Sequence, residues 1–480
     1  MKDFARKVLG LLPSKVEYAD CRVVVTERRD VATKDGIVEA LELGSSSGFG
    51  VRVLVDGAWG FASSSEINHE EAEKIVSRAV RNAEAALITN PEKVKLAKVP
   101  VVNDTYKTPV KTDPFEIPIS EVVSVLLAAD QAQKISKKIK ISQTYFSAFK
   151  QKKIFVSTEG SLIDQEIIFT GAGLEATAVE RGEVQNRSYP KSAGGQFETR
   201  GWEAVEEMKL VQNAPGVAQE AIKLLEAKNC PSGEFDIILM DDQLALQVHE
   251  SCGHPVELDR ALGFEASYAG TSFLTPEMLQ NYQYGSDHVN IVADATVLGA
   301  LGSFGYDDEG VETKKVDLIK SGKFVGYLTS RETAWKFDLP VTGAMRASGW
   351  SQLPLIRMTN INLEPGTLSL EELIADTKYG LLLNTNRAWS IDDKRLNFQF
   401  GTEVAWEIKN GKKGRIYKNP VYTGMTPSFW NSCDAVCNKN YWKVWGTPNC
   451  GKGEPPQTMY VGHGVAPARF RKVKVFSGRK

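Results

Sequence analysis

Two of the chain's five histidines sit in His249-Glu-Ser-Cys-Gly-His254, and the five-residue step between them constrains the backbone more than any other feature of the 480 residues. On an ideal α-helix a five-residue step turns the second side chain about 140° from the first, whereas a four-residue step turns it only about 40°. For both imidazoles to meet at one point, the helix must either widen by a residue into a π-turn or stop so that His254 swings back. The local sequence allows both. Gly253 relaxes the backbone, and Pro255 disfavours the α-conformation at His254. His249 and Glu250 are therefore expected on the last turns of a helix, with His254 at or past its end. A carboxylate beside two imidazoles is the minimum kit for a hydrolytic zinc site, with two neutral nitrogen ligands and a general base. The competing interpretation is a core or surface helix whose histidines bind nothing.

The flanking sequence predicts how this helix is supported. Asn229-Cys-Pro-Ser-Gly233 is a strong breaker cluster and marks a boundary between a first region, 1–228, and a second, 229–480. A buried-type strand, Phe235–Met240, then feeds the motif helix, with Asp241 or Asp242 as its N-cap. Upstream, a short helix is expected within residues 1–17. Strands follow at Cys21–Glu27, Ile37–Leu43 and Phe49–Val55, with a loop at Ser45–Gly48 and a hairpin turn at Asp56-Gly57. Asn68 and Glu71 form a capping box for a helix over about 69–87, whose apolar stripe is Ile75, Val76, Ala79, Val80 and Ala83. Five prolines between Asn90 and Pro118 mark a connecting segment and a subdivision of the first region. Ser120 should cap a second helix to about Lys137. A strand meander over 142–189, broken at Glu159-Gly160, Gly171 and Arg181-Gly182, precedes an amphipathic helix at Gly216–Lys228. Residues 256–480 read mostly as strand and loop. The fold class is α+β, a mixed helix and meander region followed by a strand-rich domain carrying the motif helix.

Composition narrows the setting. Charged residues make up 25% and the formal net charge is −2, which offers no global attraction to nucleic acid or to an anionic membrane. The first apolar run, Val8–Leu12, is too short for a signal-peptide core, and no stretch reaches the length of a membrane span. The cytoplasm is the expected compartment, where six cysteines serve as packing residues or metal ligands rather than disulfides.

A catalytic zinc takes three protein ligands. For the third, the residues leave His288, His463, a carboxylate, Cys433, Cys437 and Cys450 open. Cys433, Cys437, Cys450 and His463 could instead form a separate structural zinc site. Cys450 lies in the glycine-rich turn Gly446-Thr-Pro-Asn-Cys-Gly-Lys-Gly453, which could aim a thiolate into a site.

Five strings occur in order along the chain: Gly48 to Ala62, His249 to His254, Gly302-Ser-Phe-Gly-Tyr-Asp-Asp-Glu-Gly310, Arg357-Met-Thr-Asn360 and Asn449-Cys-Gly-Lys452. Together they make the chain resemble the TldD/PmbA family of metallopeptidases from about Tyr18 to Phe476. The resemblance implies one zinc held by His249, His254 and Cys450, with Glu250 as catalytic base, as in the active TldD-type subunit. The paired PmbA-type (TldE) subunit lacks these residues. It further implies a dimer, either a homodimer or a heterodimer with a PmbA/TldE-like paralogue. Its substrate would be an unfolded or short peptide bound as an extended strand in an enclosed cleft, and strand addition reads side chains loosely. Cys252 stands where related sequences often carry an aliphatic residue, and is expected to be a small packed hydrophobe.

The expected chemistry is peptide hydrolysis, with Glu250 accepting a proton from water and returning it to the leaving amine. Arg346, Tyr306 and His463 are candidates to stabilise the oxyanion. Asp307, Asp308 and Glu309 are either acceptors that orient the ligand imidazoles or a solvated turn. One rival is a non-catalytic peptide-binding or scaffold subunit with a structural metal. Another is a thiol hydrolase built on Cys252.

Overall fold

Alternating apolar residues and tight turns build the first sheet of the computed structural model, which describes residues 1–89 and 92–478. Its helices are α1 (Lys2–Leu9), α2 (His69–Ala86) and α3 (Ile119–Ala132), and its strands are β1 (Val16–Lys34), β2 (Ile37–Val55), β3 (Ala58–Ser64), β4 (Asn103–Lys107), β5 (Ile139–Ser157), β6 (Leu162–Glu180), β7 (Glu183–Tyr189) and β8 (Gln196–Glu198). The sheet runs β3-β2-β1-β5-β6-β4, and β7 and β8 also pair with β6. Asp56 and Gly57 turn β2 into β3 with φ of 50° and 80°. Asn68 caps α2 by accepting the Glu71 N–H, and the expected stripe from Ile75 to Ala83 is buried.

Several sequence expectations are corrected. Ser45–Gly48 is not a loop, because β2 runs through it paired to β1. The small residues are needed there because the Trp350 ring lies 2.4 Å from where a Gly48 Cβ would be. Likewise Gly171 does not break β6, since it makes room for the Phe197 ring. The helix after the proline-rich segment begins two residues earlier than expected, with Pro118 rather than Ser120 as its N-cap, and ends at Ala132. That segment contains β4, which runs parallel to β6; Asn90 and Pro91 at its start lie outside the described residues. The two helix–meander units share one continuous sheet.

A helix over Leu210–Glu226, α4, leads to the second half. There the strands that matter for the site are β9 (Gly233–Leu239), β10 (Tyr379–Ile391), β11 (Asn397–Lys409), β12 (Pro420–Met425), β13 (Lys443–Lys452), β14 (Gln457–Val465) and β15 (Ala468–Ser477). β9 pairs in parallel with β10, while β10–β11, β11–β12, β12–β15 and β15–β9 are antiparallel. Five strands thus close into a ring, which removes the free edges of an open sheet. β13 and β14 form a separate hairpin. The fold is α+β, with the larger core cluster in the strand-rich half. Among the described residues no helix is long and apolar enough to cross a membrane.

The motif helix α5 (Asp241–Val248) leaves β9 and packs its Leu244, Ala245 and Val248 into that core. Its two buried glutamines are satisfied by one hydroxyl, Tyr422 of the ring, which accepts from Gln243 at 2.7 Å and donates to Gln247 at 2.9 Å. Neither aspartate caps it. Met240 is the N-cap residue, and both aspartates lie in the first turn, where the helix dipole favours negative charge.

Candidate metal centre

The backbone takes the first of the two routes open to it. Residues His249–Gly253 form a single π-helical turn continuing α5, and the added residue turns His254 back toward His249. Pro255 does not force His254 out of helical geometry, which stays at φ −65° and ψ −44°. The π-turn is anchored at Ser251, whose hydroxyl accepts from Trp430 Nε1 at 2.9 Å and whose carbonyl accepts from Tyr284 at 2.8 Å.

Cys450 arrives from β13. Between Thr447 and Cys450 the register against β14 shifts by one residue, a bulge that re-aims the side chain. Ligand atoms of His249, His254 and Cys450 all lie within 4.8 Å of one another, and among the described residues this is the one such group of three or more His, Cys, Asp or Glu side chains. The Cys450 Sγ–His254 Nε2 distance is 3.8 Å. Donors on a tetrahedral zinc are spaced about 3.3–3.6 Å apart, so the group needs only small side-chain movements to close on an ion.

The chemistry of the donors fits a cation as well. His463, on β14, sits 2.8 Å from His249 Nδ1 through its own Nε2, and its Nδ1 lies 3.2 Å from the Ile361 carbonyl. A carbonyl only accepts, so His463 carries its proton on Nδ1 and accepts from His249 Nδ1–H. That leaves the Nε2 lone pair of His249 free for a metal. His254 is set in the same way, its Nδ1 donating to Glu257 at 3.0 Å. Glu257 is held in turn by Lys452 at 3.2 Å and by the Met358 N–H at 3.2 Å. Burial would raise the Cys450 thiol, but His249, His254 and Arg357 draw it well below its ordinary value, toward thiolate. Burial, opposed by Cys450 and helped by Arg395 and His249, holds His254 well below the ordinary imidazole value. Burial likewise holds His463 well below it, and His249 adds to the effect.

Glu250 faces the same cavity, of about 300 Å³. Its Oε2 accepts from Arg395 Nη1 at 2.6 Å. Arg395 lies in the β10–β11 turn at φ 64°, pinned by Asp392, which accepts the N–H groups of Leu396 and Asn397, and by the Thr426 hydroxyl on its carbonyl.

The remaining candidates lie elsewhere. Cys433 and Cys437 are buried, their thiols pushed up to about 12 by burial, and among the described residues they form no metal-holding group with Cys450 and His463. Cys252 is a core residue, its thiol likewise pushed up to about 12 by burial. His288 is exposed outside the group. Tyr306 donates to Asp104 at 2.5 Å. Arg346 donates to the carbonyls of Met358 and Tyr460, and burial with Arg357 pushes it down to about 9. None of these lines the metal cavity.

Asp307, Asp308 and Glu309 neither orient an imidazole nor form a solvated turn. All three are buried. Asp307 accepts backbone N–H groups of Glu309, Val311 and Met345. Asp308 pairs with Lys153 at 2.7 Å and Arg22 at 3.7 Å, and Glu309 with Arg52 at 3.3 Å. Asp308 and Glu309 thus tie the first sheet to the second half.

Sequence reading overlooked four supports. Glu257 carried a readable signal, since it stands three residues after His254 in a helical register. Lys452 and Arg357 lie inside the recognised strings, and Arg357 bonds the Cys450 carbonyl. Arg395 carried none, because Asp392-Asp-Lys-Arg395 reads as a solvated turn.

Residues 19–83, 112–228 and 232–476 match, respectively, the family models for PmbA/TldA metallopeptidase domain 1, its central domain and its C-terminal domain. The chain is 33% identical over 448 residues, 93% of its length and 94% of the other, to a protein of Methanocaldococcus jannaschii named a metalloprotease. It is 25% identical to a zinc metalloprotease TldD homolog of Saccharolobus solfataricus, with 90% of each chain covered. The crystal structure of TldE from Thermococcus kodakarensis shares the fold, with a TM-score of 0.71 at 16% identity over 99% of this chain and 100% of that one. With its three domains matched in order and a third of its residues shared with a full-length relative, the chain belongs to the PmbA/TldD metallopeptidase family.

Proposed function

We propose that this chain is a TldD-type, catalytically active zinc metallopeptidase that hydrolyses unfolded or short peptides. His249, His254 and Cys450 hold the ion, and Glu250 is the general base. The observation that carries this reading is the convergence of two imidazoles, each left with a free Nε2 lone pair by its own acceptor, with a thiolate-prone cysteine beside a carboxylate. A structural site needs no such carboxylate. When bound, zinc supplies Lewis acidity to the attacking water and to the scissile carbonyl. The protein does the rest. Glu250 takes the proton of the attacking water and returns it to the leaving amine, while Arg395 fixes one of its oxygens so that the other serves as acceptor.

The substrate enters as an extended strand. Among the described residues β13 pairs as a strand with β14 alone, and Gln196 occupies its other edge at Val444 and Gly446, which leaves the part beside Cys450 for backbone addition. The same reading takes the protein as working in the cytoplasm, as a homodimer or with a PmbA/TldE-like partner, with a domain boundary at 228/229. In its test, zinc content and cleavage of an unfolded peptide are measured for the wild type and variants. Glu250→Ala should keep zinc and lose cleavage, while Cys252→Ala keeps both. Cys450→Ala should lose zinc, and Cys433→Ala and Cys437→Ala retain it. Undiminished cleavage by Glu250→Ala removes the base assignment, and a zinc-loaded wild type that cleaves nothing favours the non-catalytic scaffold.

A further inference from the structure

The metal cavity has a larger neighbour of about 680 Å³, and Asn449 lines both. Asn449 belongs to the bulge that delivers Cys450, so the second cavity begins one residue, about 3.8 Å of backbone, from a proposed ligand. Its floor is aromatic. Phe149 and Phe169 stack at 5.0 Å, and Tyr460 packs on both, at 5.0 and 4.4 Å. Tyr460 follows Met459, the ladder partner of Cys450, so the hairpin that carries the proposed ligand also carries a wall of this cavity. The lip is shared too: Lys191, Ser192 and Ala193 line the metal cavity and Gly194 the aromatic one. At the rim stand Arg28, Asp30 and Glu42, and Arg28 pairs with Asp30.

We propose that this aromatic cavity is the specificity pocket of the same site, taking a bulky apolar or aromatic side chain one or two residues from the scissile bond. The proposal rests on the peptidase reading and replaces loose preference with a definite one. An apolar side chain exchanges water for ring surface there. An acidic one meets two rim carboxylates against one guanidinium and loses solvation over the rings.

The test uses zinc-loaded full-length protein and unfolded peptides identical except for one residue, set to Phe, Leu, Gly, Asp or Lys, with cut sites located by mass spectrometry. The expected kcat/KM for cuts beside Phe or Leu exceeds that beside Gly or Asp by about 10- to 100-fold. Ser147→Trp and Ala40→Trp fill the cavity from two different strands. Each should bring the preference within about threefold while leaving zinc content near wild type. Two variants keep the test decisive if one fails to fold. Equal rates for all peptides overturn the pocket and leave the peptidase standing, as does a preference that survives both substitutions. Fastest cleavage beside Lys overturns it in favour of a cation subsite. A change in oligomeric state alone, with preference intact, makes the groove a contact between copies and also overturns it. A wild type that cuts none of the peptides overturns both.

Discussion

His463 is the residue whose removal most directly probes how the site is built. It is fully buried, accepts the His249 Nδ1 proton at 2.8 Å and passes its own to the Ile361 carbonyl at 3.2 Å. Leucine at 463 keeps much of the volume but leaves the His249 N–H buried without an acceptor, a loss of about 1–3 kcal/mol. The His249 ring is then free to turn or to change tautomer, and loss of such an orienting partner weakens metal affinity about 10- to 100-fold, or about 1.4–2.7 kcal/mol. Glutamine is the restoring substitution, since its carbonyl can accept from His249 and its amide can donate to Ile361. Zinc dissociation constants from chelator competition should rank wild type tightest, His463→Gln intermediate and His463→Leu weakest. Urea unfolding of the zinc-free proteins should show His463→Leu less stable by about 1–3 kcal/mol. A His463→Leu protein that binds zinc within threefold of wild type refutes the argument that this relay holds the ligand.

Three further outcomes follow from other contacts. Asp308→Asn leaves Lys153 and Arg22 buried without their anion and should cost about 3–5 kcal/mol in urea unfolding; a loss below 1 kcal/mol would mean that water, not Asp308, balances them. Burial, opposed by Arg187, pushes the Glu403 carboxyl up to about 7 from its ordinary 4.5. Its native form therefore keeps a proton that the unfolded chain gives up earlier. The stability it contributes is full below about pH 4.5 and is lost as pH rises through 7, about 3 kcal/mol in all. Glu403→Gln should flatten that part of the stability–pH curve, and parallel curves for the two proteins would contradict it. Finally, a Cβ at Gly253 would lie 2.2 Å from Met358 Sδ. Gly253→Ala should cost about 1–3 kcal/mol and weaken zinc binding by displacing His254, so unchanged affinity would show that the π-turn absorbs the methyl.

Local order was legible wherever short-range physics sets the backbone. The Asp56-Gly57 turn, the Asn68 cap with its stripe of apolar residues, and the π-turn, one of two routes the His249–His254 spacing left open, all depend on residues a few positions apart. Sequence reading failed where distant contacts override local preference. Ser45–Gly48 looks like a loop until Trp350 lies across it. Asp307-Asp308-Glu309 looks solvated until Lys153, Arg22 and Arg52 reach it from the first sheet.

The site divides in the same way. The sequence by itself determined the candidates for the chemistry, because paired imidazoles and a neighbouring carboxylate are properties of one short string. Several residues stayed open as the third ligand until family resemblance pointed to Cys450. Only the tertiary structure decided how they are held. His463 reaches His249 across 214 positions and Arg395 reaches Glu250 across 145. Such pairings arise when a closed ring and a bulged hairpin bring separate segments to one cavity, and no local periodicity encodes that closure.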